Sequence, residues 1–215
     1  MSIRVFFFYF LLLVLPVQAG KLESDILSRV VHIVSRNTNR SLHGTGFWLD
    51  SEYILTAQHV ISGAQHIGVL SDSSSDVGRD AKIVVSNKKY DFAILKPEDT
   101  SSFLPIPMSA STPPVGTSVW FWTTHDQFKN IRSQRVPIFN AGSIVADDVS
   151  VDGNREFLVS GLVLAGGSGS SIFDQTGNLV GIATGDNADN EGTESYISCT
   201  HIQPIKDAYL KLLSK

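Results

Sequence analysis

Residues Gly44 to Ile61 read GTGFWLDSEYILTAQHVI. Two short apolar runs, Thr45–Leu49 and Ile54–Thr56, are separated by polar residues and lead into His59. The same texture extends in both directions. Upstream lies Val30–Arg36; downstream lie His66–Leu70, Ala81–Ser86 and Phe92–Leu95. A second set follows at Ser118–Thr123, Val136–Ala146, Phe157–Val159, Ser171–Phe173, Leu179–Thr184 and Ser195–Cys199. Many short strands punctuated by Gly, Asn, Asp, Ser and Pro predict an all-β chain, a sandwich or a barrel. No helices of ordinary length alternate with the strands, which argues against a doubly wound α/β fold.

The segment Leu104–Gly116, LPIPMSASTPPVG, holds four prolines and few charges. It divides the strands into two sets of similar size and reads as a linker. The first β subdomain then covers about 28–104 and the second about 117–200. Asp174-Gln175-Thr176-Gly177-Asn178 reads as a hairpin turn. Ser24–Arg29 reads as a short helix capped by Ser24 or Asp25. A terminal helix is expected over about 203–213, with Pro204 in its first turn and Ile205, Leu210 and Leu213 against the body.

Composition narrows the function. Of 215 residues, 42% are hydrophobic and 18% charged, which excludes a disordered chain. The net charge is −4, which gives no electrostatic footprint for nucleic acid. The lone cysteine, Cys199, allows neither an intramolecular disulfide nor a cysteine-rich zinc site. Six histidines lie at no metal-ligand spacing, so neither metal nor cofactor is expected.

The amino terminus, MSIRVFFFYFLLLVLPVQAG, has Arg4 ahead of an apolar run from Val5 to Val17. Small residues follow, and a cut after Ala19 fits a secretory signal peptide. A run of thirteen residues falls short of the ~20 that span a bilayer. Residues 20–215 would remain, with net charge −5 because Arg4 is the one charged side chain lost. Export without a disulfide fits a periplasmic or secreted bacterial protein better than a small animal domain. No membrane span is expected after cleavage.

Three segments carry chemistry: Thr56-Ala57-Gln58-His59-Val60, Tyr90-Asp91-Phe92-Ala93-Ile94-Leu95 and Ala165-Gly166-Gly167-Ser168-Gly169-Ser170. Taken singly, each has a plain structural explanation. A histidine after a strand usually just forms a hydrogen bond. Asp91 suits a turn, and a Gly/Ser run suits a loop. Their order gives them weight. A serine hydroxyl attacks a carbonyl only if a base takes its proton; histidine has the matching basicity, and a carboxylate holds the imidazole in one tautomer. Backbone N–H groups must receive the oxyanion, and glycines around the serine let the chain present them.

The order His59, Asp91, Ser168 is that of chymotrypsin among triad folds. Here the chain resembles the trypsin/chymotrypsin-like peptidases, and most closely the core of the bacterial HtrA/Deg-type branch. The family writes T-A-x-H, D-[I/L/F]-A-[L/I/V]-[L/I] and G-[N/D]-S-G-[G/S]; this chain has TAQHV, DFAIL and GGSGS. GTGFWLD…YILTAQHVI resembles the family's strand into the histidine, and SSIFDQTGNLVGIATG its hairpin after the serine. The resemblance spans about residues 24 to 213. It implies two perpendicular six-stranded β-barrels with a cleft between them and a short C-terminal helix. His59 becomes general base, Asp91 the orienting acid, Ser168 the nucleophile, and the N–H groups of Gly166 and Ser168 the oxyanion hole.

Departures matter too. Gly167 stands where the family usually has Asp or Asn, and there is no IVGG-like activation site. Zymogen activation through a freed amino terminus is therefore not expected, and the oxyanion loop is expected to be mobile. Ser170 and Ser171 replace the common Gly-Pro. No PDZ module is expected after the final helix.

Counting back from Ser168, Leu162 and Val163 are expected to line the specificity pocket. An apolar pocket favours small or medium apolar side chains before the scissile bond. Thr184, Gly185 and Asp186 are expected to form an edge that pairs with substrate backbone. The partner is then a protein or peptide substrate; the oligomeric state is not legible. Two rival readings are an α/β-hydrolase using Ser168, Asp186 or Asp189, and His201, and a catalytically silent module that binds peptides. The first fails at Ser170, where the G-x-S-x-G elbow needs glycine. The second has no need of His59, Asp91 and Ser168 together.

Overall fold

Short strands, several of them buried on both faces, close the chain into two barrels. A computed structural model describes residues 15–70, 78–124, 137–151, 153–161, 165–188 and 195–215, with backbone alone for 15–21, 151 and 186–188. The first barrel holds β1 (Val30–Arg36), β2 (Ser41–Trp48), β3 (Ile54–Ala57), β4 (His66–Leu70), β5 (Arg79–Asn87) and β6 (Phe92–Pro97). The second holds β7 (Ser118–Thr123), β8 (Ile138–Val151), β9 (Asn154–Ser160), β10 (Ser171–Asp174), β11 (Leu179–Ala188) and β12 (Ser195–His201). Both are closed, in the orders β1-β2-β3-β6-β5-β4 and β10-β11-β12-β9-β8-β7, and every strand pair is antiparallel. Closure pairs each barrel's first strand with its last, although β11 runs on past the end of its β10 pairing at Ile182. The all-β double barrel expected from the sequence is the observed architecture, chymotrypsin-like in topology.

Strand periodicity sorts the core into three compartments. Val31, Ile33, Ile54, Ala93 and Leu95 fill the first barrel. Phe121, Phe157, Val159, Ile172 and Cys199 fill the second. The alternate residues of the same strands, Phe47, Leu55, Phe92 and Ile94, face outward and meet Phe173, Leu179 and Ile182 of the second barrel. Each side chain of this size gains roughly 1.5–3 kcal/mol on burial, so these contacts help hold the two barrels together.

The segment between β6 and β7 stitches the barrels together. Ser101 N–H and Ile106 N–H donate to Ser51 and Leu49 of the first barrel, each at 2.8 Å. Further on, Leu179 N–H donates to Pro107 and Ser109 N–H to Leu179, each at 2.9 Å. Prolines suit this stretch because its backbone donors are only intermittently needed.

Helix α1 (Leu15–Ser28) starts well before the expected Ser24 and runs unbroken through the expected cleavage position. Its Ile26 is fully buried in the inter-barrel cluster. Strand β8 continues past the expected end at Ala146. Register shifts at Ile144/Ala146 and Ala146/Val149 absorb Asp147 and Asp148, with Asp148 at φ 57°. Such bulges let acidic residues sit in a strand without entering the core.

Helix α2 (Ile202–Leu213) corrects the expected packing face. Ile202, Ile205 and Tyr209 are buried, whereas Leu210 and Leu213 are each 53% exposed. Tyr209 donates its hydroxyl to Asp50 Oδ2, while Asp50 Oδ1 accepts the N–H groups of Glu52 and Tyr53. That buried bond fixes the helix rotation and turns Leu210 and Leu213 outward.

Candidate active site

The register of β3 against β6 brings the first two candidates together. Ala57 pairs with Phe92, so the residues just beyond both strand ends are neighbours. Gln58 N–H donates to Asp91 O at 3.1 Å, continuing the ladder by one step. His59 then opens a 3₁₀ turn, His59–Ile61. Its imidazole Nδ1 lies 2.6 Å from Asp91 Oδ2, and its backbone N–H donates to Asp91 Oδ1 at 2.8 Å. Asp91 sits at φ 46°, in the left-handed region that Asp tolerates better than most residues. Both side chains reach solvent, with 45% of His59 and 21% of Asp91 exposed.

Ser168 lies in the loop before β10, seated on the first barrel. Its carbonyl accepts Thr45 N–H at 2.8 Å. The next residue, Gly169, donates to Ala183 O at 2.8 Å and has φ +89°. A Cβ there would stand 2.2 Å from Thr45 O and 2.8 Å from Ala57 N. Only glycine allows this approach, which sets the serine loop against the end of β3, two residues before His59.

Three successive carbonyls of the loop are held inward. Thr45 Oγ1 donates to Gly166 O at 2.8 Å. Ser170 donates to Gly167 O through its N–H at 3.0 Å and its hydroxyl at 2.6 Å. The third is the Ser168 carbonyl on Thr45 N–H. In a trans peptide the N–H opposes the carbonyl, so the Ser168 N–H points away from Ser170. Gly166, at φ 98°, adopts a conformation that disfavours any side chain.

The remaining candidates separate. Leu162 and Val163 lie outside the described residues. Thr184 Oγ1 donates to Ser198 O at 3.1 Å, beside a bulge between Ala183 and Gly185. Gly185 and Asp186 pair with Ser198 and Ile197 of β12, while the β10 pairing of β11 ends at Ile182. Among the described residues, the other edge of this stretch has no strand partner.

His201 is engaged elsewhere. Its Nδ1 lies 2.6 Å from Thr112 Oγ1, and its ring packs on Phe157. Burial pushes its imidazole below the ordinary histidine range, with Asp147 pulling the other way. Cys199 is fully buried, and burial raises its thiol well above the usual value, so it is a core residue. Among the described residues no group of three or more His, Cys, Asp or Glu side chains could hold a metal ion.

Sequence reasoning missed what the hydroxyls of Thr45 and Ser170 do for the Gly166 and Gly167 carbonyls. Thr45 stands inside the quoted GTG motif, but the strand pattern gave no reason to single out its hydroxyl.

A double barrel with a paired histidine and carboxylate beside a glycine-bounded serine belongs to the class of serine protease folds. The family model described as trypsin-like peptidase domain matches residues 44–182, and the chain belongs to that family. The Rv3671c protease from M. tuberculosis, in its active form, superposes with a TM-score of 0.69 at 19% identity, covering 85% of this chain and 81% of that one. The serine endoprotease from Yersinia pestis gives 0.66 at 24% identity, covering 92% and 67%. No curated protein sequence matches the chain. As a member of a peptidase family, this chain has peptides as its substrate class.

Proposed function

We propose that this chain is an exported serine endopeptidase working through His59, Asp91 and Ser168. The observation that carries the reading is the double hold of Asp91 on His59 beside the seated Ser168 loop. Asp91 keeps the proton on Nδ1, which leaves Nε2 free to act as base. Ser168 Oγ attacks the scissile carbonyl while Nε2 takes its proton. The oxyanion is received by the N–H groups of Gly166 and Ser168. His59 then returns the proton to the departing amine, and an acyl-enzyme ester remains on Ser168. Water, deprotonated by His59, hydrolyses the ester and restores the hydroxyl.

Leu162 and Val163 supply an apolar specificity pocket, favouring small or medium apolar residues before the cut. The open edge at Thr184, Gly185 and Asp186 supports antiparallel pairing with an extended substrate. The amino-terminal apolar run supports export, with a periplasmic or secreted location in a bacterium. Cleavage of a peptide library, with the new termini sequenced, tests this reading. Cuts after apolar residues agree with it, and cuts confined to Arg or Lys contradict the pocket assignment.

A further inference from the structure

Ser168 is flanked by Gly166, Gly167 and Gly169. Such a loop has little conformational preference of its own, so its shape must be imposed by outside hydrogen bonds. Gly167 contributes no side chain to that task. Thr45 instead touches the loop twice, through its N–H to Ser168 O and its hydroxyl to Gly166 O, each at 2.8 Å.

The Thr45 hydroxyl ends a longer chain. Thr45 on β2 lies directly opposite His32 on β1, and His43 shares Thr45's face two residues earlier. Thr45 Oγ1 lies 3.0 Å from Thr124 Oγ1 and accepts Thr124 N–H at 2.9 Å. Thr124 Oγ1 lies 3.0 Å from His32 Nδ1, and His32 Nε2 lies 3.1 Å from His43 Nδ1. Finally, His43 Nε2 is 3.2 Å from Ser41 Oγ. Thr45, His32 and Thr124 are all buried, at 1%, 2% and 4% exposure, whereas Ser41 is at the surface.

Hydrogen-bond capacity fixes the direction of the inner links. A carbonyl can only accept, so the single Thr45 proton goes to Gly166 O. Thr124 must then donate to Thr45, a shorter contact than its 3.3 Å alternative at Gly44 O. Thr124 therefore accepts from His32 Nδ1–H. Beyond it, His32 Nε2 meets His43 Nδ1 and His43 Nε2 meets Ser41 Oγ. The three inner links run in one sense, toward the loop.

We propose that Thr45 is a positioning residue for the nucleophile loop. Its hydroxyl, oriented by Thr124 and His32, holds the Gly166 carbonyl out of the space an oxyanion would occupy. The loop, expected from its glycines to be mobile, is thereby preset without a freed amino terminus. This inference rests on the reading of Ser168 as nucleophile.

Thr45→Val tests it, since valine keeps the branched shape and removes only the hydroxyl. Loss of an oxyanion donor itself costs about 10²–10³ in kcat, so loosening the loop that carries both donors should cost about ten- to a hundredfold. KM should move by less than about threefold, because the ground-state contacts are untouched. Thr45→Ser should recover most of the loss. Hydrogen exchange of the 165–170 peptide should quicken in Thr45→Val, while exchange in β1 and β3 stays as in the parent. If Thr45→Val does not fold, Thr124→Val breaks the chain one link earlier and is read the same way. Unchanged kcat together with unchanged loop exchange would overturn the inference and leave the nucleophile assignment standing. If the parent itself neither hydrolyses peptides nor reacts at Ser168, that assignment fails, and the exchange comparison alone decides the inference.

Discussion

Asp91 grips His59 from two directions: one carboxylate oxygen lies 2.6 Å from the imidazole Nδ1, and the other accepts the His59 backbone N–H at 2.8 Å. The ring and the chain that carries it are held by one side chain. Asp91→Asn keeps the size but offers an amide in place of one carboxylate oxygen, which favours the wrong tautomer. In a peptide hydrolysis assay, kcat should fall by about 10³–10⁴ with little change in melting temperature. A loss below tenfold would detach Asp91 from the mechanism.

Proton acceptance by His59 dictates the pH profile. A protonated imidazole cannot take the Ser168 proton, so acylation should slow as the medium is made more acidic. The rate of acyl-enzyme formation measured between pH 5 and pH 9 checks this. A flat profile contradicts a histidine base.

The turn after β10 is built on Asp174. Its Oδ1 accepts the N–H groups of Thr176 and Asn178 at 2.9 and 3.0 Å and the Thr176 hydroxyl at 2.6 Å, and its Oδ2 accepts Asn178 Nδ2 at 3.1 Å. Burial disfavours the charged form, but these donors outweigh it and hold the carboxyl below its ordinary value. A depressed carboxyl contributes stability above the unfolded-state value and loses it as pH falls through the folded-state value. Asp174→Ala should cost about 0.5–1.5 kcal/mol near neutral pH, solvent screening keeping it small at this partly exposed site; urea unfolding reads it, and the deficit should shrink in strong acid.

Gly169 bears on packing and catalysis together. Its φ of +89° and the 2.2 Å approach of Thr45 O leave no space for a methyl group. Gly169→Ala should lift the serine loop off β3, costing at least about 2 kcal/mol and most of the activity. A variant with parent stability would show that the loop can sit elsewhere.

What the sequence disclosed follows interaction range. Strand texture and turn residues act locally, so both barrels and the Asp174 turn were readable. The face of α2 was not, because Asp50, 159 positions away, draws Tyr209 inward against the pull of Leu210 and Leu213. The link from Thr45 to Gly166 spans 121 positions, and that from His32 to Thr124 spans 92. Neither leaves a periodic trace. His59 and Asp91 were singled out by their motifs, and the β3–β6 register is what brings them together.

The central claim is that Ser168 is a nucleophile activated by His59. A fluorophosphonate probe tests it most directly, because it reacts only with a serine whose proton is being removed. The account predicts labelling of the parent protein on the peptide containing Ser168, and none in Ser168→Ala or His59→Ala. Absence of labelling from pH 6 to pH 9 in a folded sample, or labelling that survives Ser168→Ala, would contradict it.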